Sequence, residues 1–224
     1  TVACADTEID MAPDGTVPAA PGSSGQKCSA CSRAIIEAPV YQVLEEKIRE
    51  RVAKLTVGDP ATNPNMGPVI NKSALQSILR YIEIGKKEGR LISGGKTIAT
   101  EDGGFFLEPT VIADVAPDAV ISQEEIFGPV LSLIKVDSFE EGLTVANNTE
   151  YGLTGALYTS DRARLDQARY EFHVGNLYLN RKCTGAMVGA HPFGGFNMSG
   201  TDSKGGGPDY LLLFTQAKSI AERL

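Results

Sequence analysis

The stretch Gly25-Gln26-Lys27-Cys28-Ser29-Ala30-Cys31 holds the side chain best suited to covalent chemistry. A thiol attacks carbon when it is partly ionised, reachable and close to hydrogen-bond donors. Gly25 lets the backbone bend tightly before Cys28, and the small Ser29 and Ala30 leave space around it. The Cys28-x-x-Cys31 spacing admits a half zinc site, a redox pair or a single nucleophile. Zinc needs two further ligands at suitable spacing, but a second CxxC or an HxxxH is missing and His173 and His191 stand alone; no metal site is expected. A thioredoxin-like pair opens a helix after a strand, and the residues before Cys28 do not read as one. The redox pair stays open. The residues favour a single nucleophile at Cys28, with Cys31, Cys4 and Cys183 as small buried residues.

Two further stretches could do chemistry. Glu124-Glu125-Ile126-Phe127-Gly128-Pro129 places two carboxylates before a sharp turn and a strand. Such a pair is either solvated or accepts hydrogen bonds from a ligand's hydroxyls. Pro192-Phe193-Gly194-Gly195-Phe196, with Ser199-Gly200 beyond, is a loop whose glycines let backbone approach something closely. It matches neither a P-loop nor GxGxxG, so it is not read as a phosphate cradle. Long ordered loops in compact domains tend to be functional.

The elements that position these stretches follow from patterning. Residues 1–24 carry Pro13, Pro18 and Pro21 with Gly15, Gly22 and Ser23-Ser24, which predicts an irregular lead-in. Ala34-Ile35-Ile36 reads as a buried strand. Apolar residues at 40, 41, 44, 48, 52 and 55 make a helical stripe. A second helix is expected over about 73–88, stopped by Gly89. Residues 105–112 and 130–136 read as strands, and Ser138-Phe139-Glu140-Glu141 as a capping box opening a helix to about Asn147. A strand at 154–159, a helix at 161–172 and a strand at 176–180 follow. This alternation predicts an α/β fold, a mostly parallel sheet with flanking helices. Leu211–Ile220 is expected to be an extended segment that adds to another sheet's edge. The organisation expected is a lead-in over 1–24, a catalytic domain over 25–207 and a C-terminal tail strand over 208–224.

Composition narrows the function classes. Of 224 residues, 42% are apolar and 22% charged, ordinary globular values. A net charge of −7 leaves no basic stripe for nucleic acid. Nothing approaches the roughly 18 uninterrupted apolar residues of a membrane span, and the acidic, proline-bearing start makes no secretory signal. Four cysteines are too sparse for a secreted disulfide scaffold, so a reducing compartment is expected: cytoplasm, or alternatively mitochondrial matrix. Thr1 in place of an initiator methionine predicts a chain cut from something longer.

Gly25-Gln26-Lys27-Cys28, Glu124–Pro129 and Pro192–Phe196 with Ser199-Gly200, in this order, resemble the catalytic domain of the aldehyde dehydrogenase superfamily. Gly67-Pro68-Val69-Ile70 and Glu108-Pro109-Thr110 agree, and the likeness covers roughly residues 25–224. Gly25–Ser32, with Gly200-Thr201-Asp202-Ser203-Lys204 and Gly207-Pro208-Asp209-Tyr210, is similar to the branch that oxidises L-glutamate γ-semialdehyde, the open form of Δ1-pyrroline-5-carboxylate. The texture is closest to bacterial enzymes of proline and arginine breakdown. The resemblance implies that Cys28 attacks the aldehyde to give a thiohemiacetal, then a thioester. It implies that Glu125 holds the nicotinamide ribose of NAD and that Phe127 packs nearby. It implies that Ser29, Gly185 and Ala186 anchor the substrate's α-carboxylate, with Phe193 as an aromatic wall. A homo-oligomer is implied for the full-length family.

The same resemblance implies a nucleotide-binding half before this chain, which would bring most NAD contacts, a general-base glutamate and a side-chain amide of the oxyanion hole. The chain alone is therefore expected not to turn over. Two other readings remain: a non-catalytic remnant that keeps the fold and oligomer contacts, and a dehydrogenase for another carboxylated semialdehyde.

Overall fold

The computed structural model describes residues 1–100, 103–200 and 204–224. In chain order the elements are β1 (Val2–Ala3), α1 (Met11–Ala19), β2 (Arg33–Glu37), α2 (Ala38–Val52), α3 (Lys72–Glu88), β3 (Arg90–Ser93), β4 (Thr97–Ile98), β5 (Phe106–Leu107), β6 (Thr110–Ala113), α4 (Val120–Gln123), β7 (Val130–Val136), α5 (Phe139–Asn147), β8 (Thr154–Tyr158), α6 (Arg162–Glu171) and β9 (Asn176–Leu179). Seven strands form one sheet in the order β3-β6-β7-β2-β1-β8-β9, and β4 pairs with β5 in a separate ribbon. Within the large sheet only the edge pair β3–β6 is antiparallel.

Both faces of the sheet are covered, as a parallel sheet requires. Strand side chains alternate, so Ile35 joins one core with Ile78 and Ile82 of α3, Phe139 and Leu143 of α5 and Ala168 of α6. Ala34 and Ile36 join the other with Val17 of α1 and with Tyr41, Leu44 and Ile48 of α2. The helices start where side chains take up orphan amides: Asn71 Oδ1 accepts from Ala74 N–H, Ser138 Oγ from Glu141 N–H and Asp161 Oδ1 from Ala163 N–H. Gly89 does end α3, but in extended backbone (φ −162°) rather than the left-handed form. A Cβ there would lie 2.6 Å from the Ala113 carbonyl oxygen. The strand expected over 105–112 is broken in two at Glu108-Pro109, since proline offers no ladder amide.

Residues 1–24 correct the sequence reading. They are not an irregular lead-in: β1 pairs with both β2 and β8 near the middle of the sheet, and α1 packs on α2. Pro13 falls in the first turn of α1, where amides lack intrahelical acceptors anyway. Pro18 lies inside the helix, at a cost that buried Ala12, Thr16, Val17 and Ala19 offset. Within the tail Tyr210–Phe214 forms a 3-10 turn, and the residues after it pair with no strand of this chain among the described residues. A strand needs a neighbour to take its main-chain hydrogen bonds. Thr201, Asp202 and Ser203 of the branch-like run lie outside the described residues.

The carboxyl ends of the central strands, where open α/β sheets usually hold ligands, carry a charge cluster. Asp6 accepts from Thr159 Oγ1, Ser160 N–H and Asp161 N–H, each at 2.8 Å. Buried Glu37 accepts from Ala5 N–H, and Arg164 reaches Asp6 at 3.2 Å and Glu37 at 3.3 Å. Among the described residues no helix is long and apolar enough to cross a membrane.

Candidate active site

A cavity of about 350 Å³ lies instead at the amino ends of the strands. Its wall includes Cys28 and Arg33 leading into β2, Glu124–Gly128 leading into β7, and Gly152–Thr154 leading into β8. Cys28 is an exposed free thiol, whereas Cys4, Cys31 and Cys183 are buried free thiols.

The loop that presents Cys28 has an unusual backbone. Ser23, Ser24 and Gly25 are consecutive left-handed residues, at φ 56°, 57° and 65°. For the two serines this conformation costs roughly 1–2 kcal/mol each, so surrounding contacts must hold it. Ser24 Oγ donates to the Gly67 carbonyl at 2.9 Å and lies 3.3 Å from that of Pro68. Gln26 Oε1 accepts from the Ile70 amide at 2.9 Å. Gly25 packs on the Gly128 carbonyl. Gly67–Ile70 and Gly128-Pro129 thus brace the turn before the thiol. Among the described residues nothing accepts from the Cys28 amide.

This brace gives a first prediction. Gln26→Ala leaves the Ile70 amide without its acceptor and is expected to cost about 1 kcal/mol, the net worth of one hydrogen bond. It should also raise amide hydrogen exchange over residues 22–28. Unchanged exchange there would mean the loop is held without Gln26.

In the Glu124–Pro129 segment the side chains diverge. The Tyr81 hydroxyl of α3 donates to Glu124 Oε2 at 2.6 Å, a bond that pushes the phenol's pKa up. Glu125 is exposed on the cavity wall, Ile126 is buried, and Phe127 is left-handed (φ 54°) and exposed. Glu124 and Glu125 both line the cavity, with Glu124 tied to α3 through Tyr81.

Cys28, Glu125 and Phe127 therefore share one cavity, but Ser29, Gly185, Ala186 and Phe193 do not line it. Ser29 is buried; its carbonyl accepts from Thr154 Oγ1 at 3.5 Å and lies 3.6 Å from Cys183 Sγ. That contact sets Thr184, Gly185 (φ 110°) and Ala186 beside the nucleophile segment. Phe193 exchanges two main-chain hydrogen bonds with Gly205, and Ser199 Oγ accepts from Gly152 N–H at 2.9 Å. Sequence reasoning missed the wall formed by Thr149, Tyr151, Gly152 and Met198. Nothing in their types marks them, since they meet Cys28 only through the fold. Among the described residues no group of three or more His, Cys, Asp or Glu side chains is placed to hold a metal ion.

The aldehyde dehydrogenase family model matches residues 1–220. The chain belongs to the aldehyde dehydrogenase family. It is 58% identical over 218 residues to 1-pyrroline-5-carboxylate dehydrogenase 1 of Halalkalibacterium halodurans, covering 97% of this chain and 42% of that protein. It is 58% identical, with the same coverage, to 1-pyrroline-5-carboxylate dehydrogenase of a Geobacillus species. A crystal structure of the Thermus 1-pyrroline-5-carboxylate dehydrogenase with bound NAD superposes with a TM-score of 0.96 at 51% identity, over 100% of this chain and 43% of that one. The chain thus spans about 42% of the length of the curated relatives it matches.

Proposed function

We propose that this chain is the catalytic half of an NAD-dependent dehydrogenase converting L-glutamate γ-semialdehyde to L-glutamate. The observation that carries this reading is the exposed Cys28 sharing one cavity with Glu125 and Phe127, in an aldehyde dehydrogenase chain whose relatives are 1-pyrroline-5-carboxylate dehydrogenases.

Cys28 Sγ adds to the aldehyde carbon to give a thiohemiacetal, and loss of hydride leaves a thioester. Water then cleaves the thioester to glutamate and restores the thiol. The Cys28 amide, without an acceptor among the described residues, suits the developing oxyanion; one such donor is commonly worth about 3 kcal/mol of barrier. NAD, when bound, supplies the hydride acceptor. The exposed Glu125 carboxylate fits the ribose hydroxyls and Phe127 the space beside them. Ser29 with the bared amides of Gly185 and Ala186, set beside the cavity rather than on its wall, is assigned the α-carboxylate and Phe193 the aliphatic chain. The protein works in the cytoplasm as a homo-oligomer, and the exposed Leu211, Leu212, Phe214 and Ile220 support an apolar edge for that assembly.

The relatives' remaining length is required for turnover. The isolated chain given semialdehyde and NAD is expected to form no NADH, read at 340 nm. Measurable NADH from this chain alone would sink the half-enzyme reading.

A further inference from the structure

Residues 183–193 carry the amides that the proposed reaction assigns to the substrate's α-carboxylate. Burial does little to hold the tip of this loop: Met187 is 64% and Val188 94% exposed. Its ends are fixed. Cys183 Sγ donates to the Ser29 carbonyl at 3.6 Å, and Phe193 exchanges main-chain hydrogen bonds of 2.8 and 3.0 Å with Gly205. Between them, Gly189 N–H donates to the Gly206 carbonyl at 2.7 Å. One side chain acts inside the loop. The Met187 amide donates to His191 Nδ1 at 2.9 Å, while the Ala190 and His191 amides donate to the Met187 carbonyl at 3.1 and 2.8 Å. His191 thus closes a ring on both main-chain groups of Met187, its imidazole taking one and its amide the other. An Nδ1 that accepts carries a lone pair, which puts the ring proton on Nε2. The Gly185 and Ala186 amides, immediately before this ring, have no acceptor among the described residues.

From this geometry we infer that His191 is a positioning residue for α-carboxylate recognition. The inference rests on the reading of Gly185 and Ala186 as the anchor. Fixing the Met187 N–H restrains ψ of Ala186. The two peptide units upstream are then held from their C-terminal side, as Cys183 holds them from the other. Consecutive bared amides suit an anion only while they point the same way. Without the imidazole, a loop with glycines at 185 (φ 110°) and 189 (φ 84°) is free to lose that alignment. Each carboxylate that binds would have to order it again, at a cost in affinity. His191 touches no reacting atom and acts through the loop.

The test uses the 224-residue chain and iodoacetamide labelling of Cys28, titrated with L-glutamate. His191→Ala is expected to need a roughly tenfold higher glutamate concentration for half protection, the size of one lost hydrogen bond. His191→Asn, whose Oδ1 falls near the place of Nδ1 and also accepts, should bring that concentration back to within about threefold of the parent. 4-Aminobutyrate keeps the amine and the γ-carboxylate but lacks the α-carboxylate, so its effect on labelling should be the same in all three chains. The unsubstituted chain supplies a measurement that does not depend on how the variants fold. On adding glutamate, the amide proton resonances of Gly185 and Ala186 should shift while that of Met187 stays, because its amide is already taken. Four results overturn the inference and leave the anchor reading intact: equal half protection in parent and His191→Ala, a His191→Asn no better than His191→Ala, an equal loss for 4-aminobutyrate, or a Met187 amide that shifts with its two neighbours. Glutamate that neither protects Cys28 nor shifts Gly185 and Ala186 in the parent overturns the anchor reading, and the inference falls with it.

Discussion

Gly25→Ala is expected to destabilise the protein by about 3 kcal/mol and to remove the selective reactivity of Cys28. The added methyl would lie 2.1 Å from the Gly128 carbonyl oxygen and 2.6 Å from Pro129 N. Both neighbours are backbone at the entrance of β7, so no side chain can swing away. Left-handed φ adds roughly 1–2 kcal/mol for any residue with a Cβ, and forced overpacking typically adds 1–3. Gly22→Ala is the matched control, since nothing lies within 4 Å of its Cβ position, and its effect should stay within about 0.5 kcal/mol. Urea denaturation of both variants gives the stabilities, and iodoacetamide labelling gives the thiol. Equal, small effects at the two positions would mean that the turn before Cys28 is not held against Gly128.

Asp6→Ala is expected to cost about 2 kcal/mol at pH 7, a discounted value for charged hydrogen bonds at a partly exposed group. The carboxylate ties the segment after β1 to Thr159, Ser160, Asp161 and Arg164. Burial pushes its pKa up, but the hydrogen bonds from Thr159, Asp161 and Ser160 outweigh this and hold it below the ordinary value. A depressed carboxylate contributes stability that is present above its unfolded pKa and is lost as pH falls through the folded one. The gap between parent and variant should therefore be full at pH 7 and close as pH drops below about 4. A gap independent of pH would assign the loss to packing rather than to the carboxylate.

These two residues show what was legible in the sequence. The cysteine turn, the carboxylate motif and most of the βα alternation are local signals, and Val130–Val136 fell where its β-branched run placed it. Ordering of residues 1–24 was not legible, because its cause is remote. Val2 and Ala3 take ladder partners in β2 and β8, and Asp6 takes its partners more than 150 residues on. Prolines spoke locally for disorder while buried contacts decided otherwise. The 3-10 turn at Tyr210–Phe214 was not legible either, because a run of large apolar residues suits several backbone conformations equally. In the site, Cys28, Glu125 and Phe127 carried their own signals. The bracing roles of Ser24 and Gln26 lie in hydrogen bonds to a segment about 44 residues away, which spacing alone does not show.

The central claim is that Cys28 is the reactive thiol of a formed site. It is tested most directly by the alkylation rates of all four cysteines, read by mass spectrometry with and without excess L-glutamate. Burial pushes the Cys4 thiol up to about 12, so at pH 8 it should react roughly a thousandfold more slowly than an ordinary exposed thiol. Cys28 is expected to react first and to be slowed by glutamate if its α-carboxylate occupies the anchor proposed at Ser29, Gly185 and Ala186. Equal rates at Cys28, Cys31 and Cys183, indifferent to glutamate, would contradict the account.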